Sequence, residues 1–375
     1  MAHLDYETLS EGELEQLRAC SLGKEVELGA IEGELSALWE ADGAASRASM
    51  MNFAIYNEKI GALLENTRLI SEITREHACR ALLIVSLREK AQPRIRSWIT
   101  AHCRLDQDGC KIACSEQISF LVESDQVDLI RNIVFAHLDS DLPLVLWWQG
   151  ELSSTFEERL YSRIDRLVFD SAQWADPARG YRAIASALDQ EGTRFAIHDL
   201  AWARGHQMRL AFASLFDDRC LADRAGAIES LNLRCSPDQR VAALLLVAWI
   251  ATQCGWSLNP DASDNQGIVY HAPAPHGGRR VRARVELLPG GAPLELLQAE
   301  GSGFSVSLRR QGESTRFLRK KLCMDGRERT RMLPLDSDDT ASLVTRQLMR
   351  SDDSLLRKIL PALLKLLDRP ISPRG

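Results

Sequence analysis

Met51-Asn52-Phe53-Ala54-Ile55-Tyr56 is a short apolar run, and Ala81-Leu82-Leu83-Ile84-Val85-Ser86-Leu87 is a continuous one. Between them, Lys59 to Glu76 sets Ile60, Leu63, Leu64, Thr67, Ile70 and Ile73 at helical spacing, with charged residues on the other face. A strand, an amphipathic helix and a second strand make a β-α-β unit, whose strands should run parallel with a right-handed crossover. A strand that is apolar throughout, rather than at alternate positions, belongs in a sheet covered on both faces. These residues set the class of the fold.

Working outward, Arg94 to Arg104 and Lys111 to Glu123 read as longer strands joined by Asp106-Gln107-Asp108-Gly109, whose Asp-Gly step signals a hairpin. A helix from Asp125 to Leu138, a strand from Leu144 to Trp148, a helix from Thr155 to Ile164 and a strand from Leu167 to Phe169 follow. Beyond Asp170 the texture changes. Pro177 to Leu188 and Leu200 to Phe216 read as helices, Ala227 to Leu233 as a strand, and Asp238 to Cys254 as an apolar helix opened by Pro237. From Ile268 to Leu335 the pattern is antiparallel strands, and Asp339 to Leu367 closes with helical periodicity. The expected fold is α/β in the mixed α+β sense: an N-terminal mixed sheet with flanking helices, then C-terminal helices plus an antiparallel sheet. The expected divisions are a helical N-terminal segment (1–47), an α/β domain (48–174), an α+β domain (175–335) and a C-terminal helical tail (336–375).

Composition narrows the function classes. With 375 residues, 45% hydrophobic and 26% charged, the chain is not disordered, collagen-like or of low complexity. Its 46 basic and 52 acidic residues leave a net charge of −6, which gives no global reason to expect nucleic acid. The longest apolar run, Val241 to Ala251, falls short of the roughly 20 residues needed to span a bilayer, and Met1 to Glu7 lacks the pattern of a signal peptide. A cytoplasmic protein without membrane or nucleic-acid partners is the expectation. Nine cysteines without framework spacing read as free thiols in a reducing compartment. The tightest cluster, Cys103, Cys110 and Cys114 beside His102, is either a zinc site or a group of half-buried thiols.

The sequence carries no dinucleotide fingerprint, phosphate-binding loop, serine-nucleophile elbow, H-E-x-x-H or C-x-x-C. No catalytic, cofactor-binding or metal-ligating residue is therefore assigned. Three other features stand out. In Asp141-Leu142-Pro143-Leu144-Val145-Leu146-Trp147-Trp148-Gln149-Gly150, two tryptophans end an apolar strand and point to opposite faces. Both belong to the core, or one lines a crevice beyond the strand or anchors a partner. In the helix beginning Asp199-Leu200-Ala201-Trp202-Ala203-Arg204, the residues Asp199, Trp202, His206 and Arg209 share one face. That stripe fits an interdomain seam or a surface for another chain. Finally, Arg309 to Arg331 holds nine Arg or Lys against three acids, and Arg280, Arg282 and Arg284 alternate with apolar residues. The basic sheet is either a solvated face or a docking surface for an acidic protein or a phosphorylated ligand.

Read together, Val26 to Trp39, Met51 to Tyr56, His102-Cys103-Arg104, Cys114 to Ile118, Asp141 to Gly150, Asp165 to Ser171, Asp199 to Arg204 and Leu244 to Trp256 resemble the OpcA family. That family comprises glucose-6-phosphate dehydrogenase assembly proteins, also described as a subunit of that dehydrogenase. The resemblance runs in order from about 26 to 256 and weakens toward 320. It implies a non-catalytic partner that promotes assembly or activation of glucose-6-phosphate dehydrogenase, at the entry of the oxidative pentose phosphate pathway. Composition and resemblance together nominate Trp147, Trp148, Trp202, Arg204 and Arg209 as partner contacts. The resemblance also makes Cys103 and Cys114 candidate redox cysteines. Met208 stands where the family helix usually places a second tryptophan, and the last 50 residues do not align with the family pattern. The alternative function is a sugar-phosphate or nucleotide sensor that binds an anion on the basic C-terminal sheet.

Overall fold

The computed structural model describes residues 22–42, 46–47, 49–87, 93–105, 111–124, 127–217, 221–262, 267–273, 278–311, 316–350 and 354–369. They fall into two compact units. The first gathers the described parts of Met1–Phe169, Ser186–His198 and Thr340–Asp352, and the second those of Asp170–Ala185, Asp199–Asp339 and Asp353–Gly375.

In the first unit the elements run β1 (Lys24–Val26), α1 (Ile31–Asp42), β2 (Ser46–Arg47), β3 (Asn52–Asn57), α2 (Ala62–Ile73), β4 (Arg80–Leu87), β5 (Arg94–Leu105), β6 (Lys111–Glu123), α3 (Val127–Ala136), β7 (Leu144–Trp148), α4 (Glu158–Tyr161) and β8 (Arg166–Phe169). The helix α5 (Pro177–Leu188) follows, with its last residues in this unit, then β9 (Ala196–Asp199). The sheet order is β1-β5-β6-β4-β3-β7-β8-β9, with β2 paired to β6 off this path. The β3–β4 pair is parallel, as the β-α-β reading requires, and so are β3–β7, β4–β6 and β7–β8. The predicted hairpin β5–β6 is antiparallel. Phe53 to Tyr56, Ala81 to Val85 and Leu144 to Trp148 are buried residue after residue, so the central strands are covered on both faces.

A buried asparagine sets the entry to β7. Asn52 donates through Nδ2 to the carbonyls of Asp139 and Leu142 at 2.9 and 3.0 Å, and its Oδ1 accepts from the Asp139 amide at 2.9 Å. One buried side chain thus satisfies three backbone groups of the turn that aims β7.

Two features of this unit differ from expectation. The segment from Val26 to Trp39 is not a separable helical piece, because β1 pairs antiparallel with β5. The helix α1 is held to the sheet as well: Glu32 pairs with Arg80, Arg80 with Glu116 at 3.2 Å, and Trp39 Nε1 donates to Glu116. Residues 1–21 of the expected N-terminal helical segment lie outside the described residues. The strand β9 had no sequence signal beyond three residues, Phe195, Ile197 and Leu200, at mixed spacing.

The second unit continues with α6 (Leu200–Arg204), α7 (His206–Ala213), β10 (Ile228–Cys235), α8 (Arg240–Gln253), β11 (Ser257–Leu258), β12 (Ile268–His271), β13 (Arg280–Leu287), β14 (Leu294–Gly301), β15 (Phe304–Gln311), β16 (Phe317–Met324) and β17 (Arg327–Pro334). Its sheet order is β11-β12-β13-β10-β14-β15-β16-β17. Every pair is antiparallel except β10–β13, which is parallel because the chain leaves β10 through α8 before it returns. Val241 to Ala251 is buried on all sides: α8 lies on β10 and β13 and is covered by α6 and α10 (Ser354–Leu367). The expected C-terminal tail is in fact divided. The helix α9 (Thr340–Leu348) packs on α2 in the first unit, whereas α10 belongs to the second.

Candidate functional site

The predicted helix Leu200 to Phe216 breaks at Gly205, and the break decides what its polar stripe does. A side chain at Gly205 would lie 3.0 Å from Arg209 Nη1. With only hydrogen there, Arg209 folds back along the helix. Its guanidinium sits 3.2 Å from the Trp202 ring centroid, and Nη1 donates to the Trp202 carbonyl at 2.7 Å. That helix-end carbonyl already accepts from the Gly205 amide at 3.2 Å, and the stacked cation adds a second donor while its charge faces the indole. Trp202 and Arg209 are buried, and His206 is half-buried.

Asp199 caps the same helix from its N-terminal side. Its carboxylate accepts from the Ala201 amide at 2.9 Å, the Ser171 amide at 3.0 Å, the Ser171 hydroxyl at 2.7 Å and the Tyr181 hydroxyl. Beside it, Arg204 grips Asp170 through both nitrogens at 2.7 Å, the fork geometry in which arginine binds carboxylate best. Asp170 also caps the turn Ser171–Gln173 by accepting from the Ala172 amide. Burial pushes the Asp199 carboxyl up to about 6, and the Asp170 charge adds to that push against the hydrogen bonds from Tyr181 and Ser171. Burial, with the Asp199 charge next, also drives Tyr181 well above its ordinary value. Burial works against the Arg204 charge, yet the bonds and charge of Asp170 outweigh it and raise the guanidinium further.

This network has the residue types of a catalytic site, but Asp199 and Tyr181 have no exposed surface at all. No substrate atom reaches them in this conformation. Their chemistry is that of a clasp joining the Ser171 turn, α5 and the start of α6. Sequence reading found Asp199, Trp202, Arg204 and Arg209 but not Asp170, Ser171 or Tyr181. The readable signal was an Asp-Ser pair directly after a strand, a pattern that caps a turn.

Trp147 and Trp148 are buried too, on opposite faces of β7. Trp147 stacks near Phe53, and Trp148 packs 4.2 Å from Tyr56 and donates from Nε1 to the Glu151 carbonyl at 2.9 Å. All five nominated contacts are therefore interior. Trp147, Trp148, Trp202 and Arg209 are each less than 10% exposed, and the Arg204 side chain is 10% exposed. The expectation of a partner-facing stripe is corrected by packing: the apolar and cationic parts that would favour an interface are consumed inside the fold.

The cysteines are corrected in part. Cys103 and Cys114, directly opposed on β5 and β6, form a disulfide rather than two free thiols or two zinc ligands. Cys110 lies outside the described residues. Cys79, Cys235 and Cys254 are free, and burial pushes them up to about 12, about 12 and about 11. They stay protonated and unreactive at neutral pH. Among the described residues no group of His, Cys, Asp and Glu is arranged to hold a metal ion, and no helix is long and apolar enough to cross a membrane.

What remains exposed is the basic sheet. Arg280, Arg282 and Arg284 stand out from β13, and all but one of the residues of β17 are exposed.

Two family models match the chain in order. The glucose-6-phosphate dehydrogenase subunit N-terminal domain matches residues 70–186, and the C-terminal domain of the same subunit matches 195–358. No curated protein sequence matches it. Among solved structures, it is similar to a mutant 3-ketoreductase from Actinomadura kijaniata in complex with TDP-benzene and NADP, at 10% identity and TM-score 0.46, covering 85% of this chain and 96% of that one. It is also similar to a super-repressor mutant of Gal80p from Saccharomyces cerevisiae, at 9% identity and TM-score 0.47, covering 86% and 94%. An oxidoreductase from Sinorhizobium meliloti gives 9% identity and TM-score 0.45, covering 85% and 88%. Likenesses at this level carry no argument about the chemistry of this chain.

Proposed function

The chain belongs to the OpcA family of glucose-6-phosphate dehydrogenase subunits, and from that premise we propose that it is a non-catalytic partner that assembles or activates this dehydrogenase in the oxidative pentose phosphate pathway. The observation that carries the reading is the ordered match of both subunit domains across residues 70–358. Two properties of the chain support it. Its sequence lacks the phosphate-cradling glycine pattern that a dinucleotide enzyme needs. Its buried polar cluster around Asp199 is sealed and structural. The partner acts by contact: it binds the active oligomer of the dehydrogenase more tightly than the inactive form and so moves that equilibrium. A tenfold preference is worth about 1.4 kcal/mol, enough to turn a minor active population into a major one.

The test mixes the purified chain with the dehydrogenase encoded in the same genome, then measures oligomer mass by light scattering and initial rates, in reducing and oxidising buffer. Co-elution with a change in oligomer mass or in kinetics is expected. Separate elution with unchanged kinetics in both buffers overturns the reading.

A further inference from the structure

The last hairpin of the second unit is built to be rigid and left uncovered. Met324 and Arg327 are paired across a two-residue turn in which Asp325 and Gly326 both have positive φ, 47° and 75°. That is the type I′ geometry matching the twist of paired strands, and Asp-Gly is its preferred sequence. The strand β17 ends the sheet order, so among the described residues its outer edge pairs with no other strand.

Charge on this edge is segregated. Arg327, Arg329 and Arg331 alternate along β17 and so share one face, with Met324, Leu322 and Lys320 opposite them on β16. No acid lies among the strand residues of that face. An ion pair of the hairpin, Lys321 with Glu328 at 2.9 Å, lies on the other face. Lys320 directly opposes Arg331, an arrangement that weakens a strand pair. Burial, then Arg331, holds the Lys320 ammonium below its ordinary range against the pull of Asp217, while its Nζ donates to Ser214 Oγ at 2.6 Å. The other face also exposes apolar area at its open end: Phe317 and Met332 are each 49% exposed and diagonal to one another, next to Arg319. Arginine, methionine and aromatic side chains together are the composition of interface hot spots.

We propose that the β16–β17 hairpin docks an acidic, extended segment of the partner dehydrogenase, added as a strand along β17 with its carboxylates on Arg327, Arg329 and Arg331. The proposal rests on the function given above and locates its contact surface. Backbone groups of the open edge supply the pairing, the three guanidiniums select for acid, and Phe317 with Met332 give apolar area on the reverse face. The competing account is that the arginines merely keep an open edge from pairing with other copies. That account predicts that glutamates would serve as well.

The deciding experiment compares the full chain with R327E/R329E/R331E and with R280E/R282E/R284E, which makes the same charge change on exposed positions of β13. Binding to the dehydrogenase is measured by interferometry, and amide exchange of residues 327–333 is followed with and without the dehydrogenase. The β17 variant should bind roughly tenfold more weakly or worse, the β13 variant should bind as the parent does, and the β17 amides should gain protection in the complex. Equal binding by the β17 variant, an equal loss in the β13 variant, or unprotected β17 amides overturns the docking surface while the parent's binding keeps the general function standing. Failure of the parent itself to bind overturns both. If circular dichroism shows the glutamate variant unfolded, R327Q/R329Q/R331Q replaces it, with a loss of roughly threefold expected and parent-like binding overturning the proposal.

Discussion

Replacing Asp199 with asparagine isolates the energetic consequence of a carboxylate sealed among hydrogen-bond donors. Oδ1 accepts from the Ser171 and Ala201 amides, and Oδ2 accepts from the Ser171 and Tyr181 hydroxyls. Asparagine keeps the first oxygen, and both hydroxyls can rotate to accept from its amide, so the clasp survives without the charge. The folded carboxyl is raised from an ordinary 3.8 to about 6, by burial first and by Asp170 second. Between those values the folded protein holds a proton that the unfolded chain has released. Stability therefore falls as pH rises through this window, and is fully present only below the unfolded value. At 1.36 kcal/mol per pH unit the interval amounts to about 3 kcal/mol. Urea unfolding of parent and D199N at pH 4, 5, 6 and 7, read by tryptophan fluorescence, gives the difference directly. Relative to D199N, the parent should lose about 2 kcal/mol between pH 4 and 7, most of it below pH 6, the rest of the interval lying below pH 4. A difference that is flat with pH, or that grows in the parent's favour as pH rises, refutes the reasoning, because the carboxylate would then be stabilised by its donors more than it is penalised by burial.

Three further outcomes test the packing. Arg204→Met leaves the buried Asp170 carboxylate unpaired and should cost about 3–5 kcal/mol, measured as a drop in urea midpoint that Asp170→Asn in the same chain partly restores. Asn52→Leu strands the Leu142 carbonyl and the Asp139 amide, for a loss of roughly 2 kcal/mol in the same assay. Cys103 and Cys114 should resist alkylation in denaturant until a reductant is added; closing a loop of separation 11, their bond should contribute about 3 kcal/mol, so C103S/C114S matters in oxidising buffer and not under dithiothreitol.

The architecture was legible where a single local pattern determined the element. The apolar runs of β3, β4 and β7 and the stripe of α2 lie within a few residues of their expected positions, because continuous and 3.6-period apolarity have few other solutions. The break at Gly205 was not legible from periodicity, since α6 and α7 continue nearly the same stripe. The sequence also could not say which side of that stripe was buried. Trp202, Arg204 and Arg209 have the composition of an interface, and a clasp has the same composition because both remove guanidinium from water beside an aromatic ring or an acid. The partner that decides between them, Asp170, is 34 positions away from Arg204 and is brought there only by the return of the chain through α5. The β10–β13 pair failed to read as parallel for a related reason: strand direction depends on the intervening α8, whereas side-chain alternation is the same in either direction. The Asp325-Gly326 turn carries its signal in two residues, and sequence reading did not single it out.

Burial of the tryptophan and arginine stripe changes how any loss of function should be interpreted. A partner subunit binds through area that is exposed before it binds, and Trp147, Trp148, Trp202, Arg204 and Arg209 expose almost none. Substituting them removes packing or a buried ion pair, so a weakened effect on the dehydrogenase would follow from a smaller folded fraction and would recover when the assay is cooled or the chain is in excess. Substitutions on β17 touch exposed side chains on the last strand of a sheet, where surface changes alter stability by only about 0.5 kcal/mol. Their effect on the partner, if the hairpin is the contact, cannot be recovered by cooling or by folding. The charge pattern supports the same division: the buried arginines Arg204 and Arg209 are matched to Asp170 and to the Trp202 ring and carbonyl, whereas Arg331 opposes another cation, Lys320, across the strand pair. A like-charge pair weakens the hairpin that carries it, and an acidic strand laid along β17 would relieve that repulsion on binding.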